Sequence, residues 1–120
     1  MIAAALTLPA SVHAGRDNGE APAEGALELI VVELDGCRPC AAFKSQIVPV
    51  YQSSTHARRV PMRFVGLDSV EASGLRLDAP LDVLPTVILL SNGAEIARLT
   101  GLTSPGNFLT IVQTMIDRAE

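Results

Sequence analysis

Two cysteines, Cys37 and Cys40, stand three residues apart between an apolar run and a helical pattern. That placement constrains the chain more than any other feature it has. Leu27 to Leu34 (LELIVVEL) is rich in Leu, Val and Ile and long enough for a strand buried on most of both faces. Asp35-Gly36 stops it, and Cys37-Arg38-Pro39-Cys40 opens the next element. From Cys40 onward, apolar residues recur at Phe43, Ile47, Val50 and Tyr51, the stripe of an amphipathic helix. Pro39 suits the first helical turn, where its missing N–H is not needed. Pro49 is expected to kink or end this helix, because its ring opposes the carbonyl of Ser45.

Ser53 to Val60 is polar, and Met62 to Leu67 reads as a second strand. Ser69 to Asp82 is expected to hold a short helix weakened by Gly74, then a loop through Pro80. Thr86 to Leu90 (TVILL) reads as a strand, Ser91-Asn92-Gly93 as a turn, and Ala94 to Leu99 as its hairpin partner. Asn-Gly between apolar runs is the strongest short-range hairpin signal. Ser104-Pro105 marks an N-cap and first helical position. Phe108, Ile111, Val112, Met115 and Ile116 form the apolar face of a C-terminal helix. The order is β-α-β-(α)-β-β-α. A right-handed crossover makes the first two strands parallel, and the hairpin then extends the same sheet.

Composition narrows the function. Aromatic residues are 3% of the chain and Trp is absent, so the core must come from Leu, Val, Ile and Ala. A formal charge of −4, with the basic residues scattered, argues against a nucleic-acid binder, which needs a basic face. No run of about 20 apolar residues exists, so no membrane-spanning helix is expected. His56, Arg58, Arg59 and Arg63 form a small basic patch in sequence, readable as a docking site for an acidic partner or simply as solvated surface. Met62 and Met115 read as core filler.

Residues 1–14 do not belong to the same pattern. Ile2 to Leu8 is a short apolar run broken by Pro9, and Val12-His13-Ala14 is a small-x-small pattern before Gly15. These are the hydrophobic region and cleavage site of a secretory signal peptide. The basic n-region is missing, since no Lys or Arg precedes Arg16, and a start upstream of Met1 would supply it. A disordered or helical extension is the plain alternative. Residues 15–25 read as a flexible leader, and residues 26–120 as one domain. An exported protein meets an oxidising compartment, where a thiol pair must be kept reduced.

A cysteine just before a helix meets unpaired backbone N–H groups and the positive end of the helix dipole. Both favour the thiolate, and Arg38 adds positive charge. Such settings lower a cysteine pKa from about 8.5 into a range of roughly 3.5 to 7.5. Cys40, one turn inside and on the apolar stripe, should be more buried and placed to resolve a disulfide formed on Cys37. Two other readings compete. A disulfide closing so short a loop removes little unfolded-chain entropy, about 1.9 kcal/mol, which makes a poor staple. A zinc site needs two further Cys or His ligands, and beyond residue 14 only His56 is available.

Strand, Cys37-Arg38-Pro39-Cys40, helix, then Val83-Leu84-Pro85-Thr86 leading into Val87 to Gly93 resembles the thioredoxin superfamily over Ala26 to Arg118. Gly101, just after the fourth strand, also matches a glycine there. The resemblance implies a minimal thioredoxin fold of the α/β class, a four-stranded mixed sheet flanked by helices. It implies a thiol–disulfide oxidoreductase without an organic cofactor or metal, acting as a monomer. Pro85 would be cis and lie against the cysteines, and the backbone of Leu84 would pair with an extended substrate segment. A plain strand-opening proline is the alternative for Pro85. The chain departs from thioredoxin at two places: Gly36 stands where a Trp precedes the first cysteine, and Val31 replaces a buried acid. Strong disulfide-reductant behaviour is therefore not implied. Glu33, two residues on and on the same strand face, is the nearest carboxylate; it is either a proton acceptor for Cys40 or a solvent-reaching acid. Arg38, Pro39 and Glu33 are the residues expected to tune the thiols. Val32 to Ala41 is further similar to small exported thioredoxin-like proteins of bacterial sulfur-oxidation gene clusters, as is Pro49. That resemblance implies a periplasmic location, a protein disulfide substrate such as a sulfur-carrier protein, and an upstream thiol donor. A reading from another class, a copper chaperone using the same two cysteines, stays open here.

Overall fold

The computed structural model describes residues 26–119, so the signal peptide and leader readings lie outside the described residues. Strand β1 (Leu27–Glu33) is central, with Leu29 to Val32 fully buried. Alternation sends Leu29 and Val31 into one core cluster and Ile30 and Val32 into another on the opposite face. A run apolar on both faces therefore became the strand covered on both faces. It pairs in parallel with β2 (Met62–Gly66) and antiparallel with β3 (Thr86–Ser91), which pairs with β4 (Ala94–Thr100). The order is β2-β1-β3-β4, the mixed four-stranded sheet expected.

Register decides where the chemistry sits. Val32 lies opposite both Val65 and Thr86, so the ends of β1 and β2 and the start of β3 meet at one end of the sheet. Cys37 leaves β1 from that end, and Leu84-Pro85 enters β3 there.

Of the two outcomes expected at Pro49, a kink or an end, the helical run does not end there. Helix α1 (Arg38–Ala42) passes into a π-helical turn over Phe43–Ile47, and α2 (Val48–Gln52) continues it. The Val48 N–H donates to the Phe43 carbonyl, five residues back. The wide turn shifts the bonding pattern ahead of Pro49, whose missing N–H then falls in the first turn of α2. The helix is neither ended nor broken there. Cys40, Phe43, Ile47 and Tyr51 are buried, whereas Val50 stands at the exposed rim of the stripe.

The polar stretch after Gln52 holds a one-turn helix, α3 (His56–Arg59), where no element was expected. The Tyr51 hydroxyl donates to the Val60 carbonyl at 2.6 Å and ties α2 to the start of β2. Residues 69–82 form no α-helix. Two 3-10 turns, Leu67–Ser69 and Glu71–Ser73, end at Gly74 in the left-handed region, and irregular chain follows. Leu67, Val70, Leu75, Leu77, Leu81 and Leu84 from this strap cover the second face of the sheet.

At the hairpin, Asn92 and Gly93 have φ of 55° and 82°, the left-handed pair that suits twisted strands. Helix α4 (Pro105–Ala119) is capped by Ser104, whose hydroxyl accepts the Asn107 N–H at 3.2 Å. It buries Phe108, Val112, Met115 and Ile116, and Phe108 meets Phe43 and Tyr51 edge to face. Met115 fills this core and Met62 packs against it, as read from sequence.

Candidate active site

Gly36 turns the chain from β1 into α1 at φ +85°. Nothing lies within 4 Å of where its Cβ would stand, so the backbone and not crowding requires glycine. That turn is the physical reason a bulky L-residue does not precede the first cysteine. The Cys37 N–H closes the turn on the Leu34 carbonyl at 3.2 Å. Cys37 then takes the N-cap of α1 with extended backbone angles, and its Sγ accepts the Cys40 N–H at 3.1 Å. Pro39 sits in the first turn, which contains no acidic side chain.

The two sulfurs are joined as a disulfide, with a Cα–Cα distance of 5.2 Å. The pair is asymmetric. Cys37 is half-buried and Cys40 only 3% exposed, while Arg38 and Pro39 between them are exposed. Of the two cysteines the first is the more accessible.

The Leu84–Pro85 bond is cis. Pro85 is buried, and its carbonyl accepts the Gly101 N–H at 2.8 Å. Gly101 itself has φ +85° and stands against Val83. The Thr86 hydroxyl donates to the Val83 carbonyl, and Leu84 packs on the second core cluster. Register brings this loop to the sheet end from which Cys37 departs.

Glu33 ends β1 on the helix side and forms an ion pair with Lys44 at 2.9 Å. The Lys44 Nζ also lies 4.8 Å from the centre of the Phe64 ring. Sequence reasoning did not single out Lys44, since a lone lysine on a helix carries no signal. It also passed over three exposed apolar side chains in the loops of this sheet end: Leu34 at 42%, Val83 at 47% and Leu102 at 43%. The basic patch is not one surface. Arg63 reaches Glu28 across the sheet, and His56 stacks on Tyr51.

A family model described as a thioredoxin-like domain matches residues 16–116. The chain belongs to the thioredoxin-like family. Among solved structures, this thioredoxin-like chain is similar to the periplasmic thioredoxin SoxS from Paracoccus pantotrophus in its reduced form. Identity is 29%, the match covers 78% of this chain and 99% of that one, and the TM-score is 0.72. It is also similar to Trxlp from Edwardsiella tarda EIB202, at 27% identity over 74% of this chain and 84% of that one, with a TM-score of 0.55. Malassezia sympodialis thioredoxin, 17% identical, shares the fold over 77% of this chain and 76% of its own, with a TM-score of 0.57. No curated protein matches. With its cysteine pair joined at the helix start, the thioredoxin-like chain is a thiol–disulfide oxidoreductase. Among the described residues, no helix is long and apolar enough to cross a membrane.

Proposed function

We propose that this thioredoxin-like protein works in the bacterial periplasm, exchanging disulfides with a protein partner through attack by Cys37 and resolution by Cys40. The asymmetry of the pair carries this reading: an accessible sulfur at the helix N-cap and a buried one behind it. In the reduced protein the Cys37 thiolate attacks one sulfur of the substrate disulfide. The other substrate sulfur leaves as a thiolate and takes a proton. Cys40 then loses its proton and attacks Cys37 Sγ, which breaks the mixed disulfide and releases the second substrate thiol. Two electrons and two protons have passed to the substrate, and the protein is left as the Cys37–Cys40 disulfide. An upstream dithiol donor must reduce it again.

Arg38 by its charge and Pro39 by fixing the first turn favour the thiolate. Glu33, held by Lys44, is the carboxylate on the adjoining strand that can take up the proton Cys40 loses. The backbone of Leu84, ahead of the cis-proline, receives an extended segment of the substrate as one strand adds to another. Exposed Leu34, Val83 and Leu102 give that segment an apolar rim. Similarity to a periplasmic thioredoxin supports the compartment, and the sulfur-oxidation resemblance of Val32 to Ala41 favours a sulfur-carrier protein as partner.

Trapping tests the division of roles. Cys40→Ser should hold its partner covalently, because the mixed disulfide cannot be resolved, whereas Cys37→Ser should not. Each variant is used to pull partners from periplasmic extract, and bound proteins are separated without and then with dithiothreitol. A sulfur-carrier protein released only from Cys40→Ser supports the reading, and many unrelated proteins would indicate a general oxidoreductase. Equal trapping by both variants overturns the assigned roles. No trapping by either, with stoichiometric Cu(I) bound by the wild type, would replace the enzyme with a copper-binding module.

A further inference from the structure

On a regular strand, residues three apart point to opposite faces. Glu95 and Arg98 on β4 do not. Leu89 lies opposite Ala97 but Leu90 lies opposite Glu95, which leaves Ile96 as the additional residue of a β-bulge. Past the bulge Arg98 lies opposite Ile88. Both Ile88 and Leu90 belong to the second core cluster, so Glu95 and Arg98 share the face that carries the strap.

There the two side chains form a clamp, 5% and 18% exposed respectively. Arg98 Nε and Nη2 donate to the Glu95 carboxylate, the latter at 2.7 Å. The same guanidinium donates from Nη1 to the Pro80 carbonyl and from Nη2 to the Ala79 carbonyl, both at 2.9 Å. Glu95 Oε1 accepts the Asp78 N–H at 2.8 Å. Three consecutive strap residues are thus bound by one ion pair. On either side, backbone bonds tie the strap to the hairpin and the end of β4: Arg76 to Gly93 and Glu95, and Pro85 to Gly101. Between those ties the irregular chain from Leu77 to Leu84 is fixed to β4 through this ion pair.

We propose that Glu95 and Arg98 are positioning residues for exchange with protein disulfides: by clamping Asp78 to Pro80 they hold Leu84 where a substrate strand must pair. The proposal rests on the reading of Leu84 as the substrate-pairing backbone. Clamping the strap in advance spares the substrate the cost of ordering it. A rigid fork is needed, because a lysine at 98 keeps the charge but offers a single nitrogen for a carboxylate and two carbonyls.

Steady-state reduction of insulin and of hydroxyethyl disulfide, with dithiothreitol as donor, tests this. Arg98→Met and Arg98→Lys should raise KM for insulin about three- to tenfold with kcat within about twofold, the pattern of lost uniform binding. Rates with hydroxyethyl disulfide, which needs no strand pairing, should stay at the wild-type value. Glu95→Gln, which keeps an oxygen for the Asp78 N–H, should show a smaller rise. If Arg98→Met does not fold, Arg98→Lys carries the test alone. Wild-type KM in Arg98→Lys overturns the role of the fork, and an equal loss on both substrates overturns positioning in favour of general damage. A wild type that reduces hydroxyethyl disulfide but not insulin overturns the docking reading and the clamp together. A wild type active on both, with variants unchanged, overturns the clamp alone.

Discussion

A sulfur at a helix N-cap is surrounded by N–H groups that have no carbonyl to serve, and Cys37 already accepts one of them from Cys40. Reduction leaves that donor and the dipole of the helical run beside a thiol, so its titration should fall well below about 8.5, the value for a free cysteine. Iodoacetamide alkylation of the reduced protein against pH measures it, and a midpoint near the free value would remove Cys37 as the activated nucleophile. Arg38→Ala should raise the midpoint only modestly, because the exposed guanidinium is screened by solvent and salt. The site was legible in the sequence to the extent that its chemistry is written in residue types. Two thiols and their place between strand and helix suffice to find Cys37 and Cys40, whereas Pro85 is singled out only by the resemblance to thioredoxins, a strand-opening proline carrying no chemistry of its own. Lys44, Glu95 and Arg98 were not legible, since they acquire meaning only from neighbours distant in sequence. For the latter two, that neighbourhood depends on a single bulged residue, Ile96.

At the scale of elements, patterns that are local were readable and adjustments that are global were not. β1 follows from one apolar run, the hairpin from Asn92-Gly93, and the start of α4 from Ser104-Pro105. The π turn before Pro49 is a compromise. The apolar stripe rewards continuing the helix to Tyr51, and the proline forbids the ordinary bond, so the chain widens one turn. The strap could not be read because six leucine and valine side chains cover the second face without a helical period. Tyr51 shows how such elements are tied together. Burial pushes its phenol from the usual 10.0 up to about 12, so the folded state favours the neutral form. Stability from this group is complete below pH 10 and is lost as pH rises through 12. The chain has one tyrosine, so phenolate absorbance reports it directly. A midpoint at the usual value would show the hydroxyl to be solvated. Tyr51→Phe removes the donor to the Val60 carbonyl and should cost about 1–3 kcal/mol, read from the denaturant midpoint by circular dichroism.

The whole molecule is a sheet covered unequally. One face carries α4, the π turn and α2 over the cluster of Leu29, Val31, Phe43, Tyr51, Val87 and Phe108. The other carries the strap over five buried residues. Protein recovered from the periplasm of a bacterial host, made from a gene with a basic n-region supplied, should lack Met1 to Ala14 by mass spectrometry; retention of those residues in the cytoplasm would remove the periplasmic assignment. The unequal cover also sets how the fold opens. Amides of β1 and β3, held in the sheet and buried on both sides, can exchange with solvent only when the core comes apart. The Asp78 amide is held by a carboxylate at the surface of the smaller cluster, and its release needs only the strap to lift. Arg98 holds the Glu95 carboxyl below the usual carboxylate range, so the folded form of this clamp is favoured above pH 4.5 and weakens as pH falls through the lowered value. Native-state hydrogen exchange in low denaturant should therefore give two classes. Strap amides should exchange by a local opening insensitive to denaturant, with protection factors that fall in acid once the slower intrinsic rate is divided out, while Leu29 to Val32 and Val87 to Leu90 should follow global unfolding. Were the Asp78 amide to share the denaturant dependence of β1, the two faces would open as one, and the strap could not move apart from the sheet that holds the cysteines.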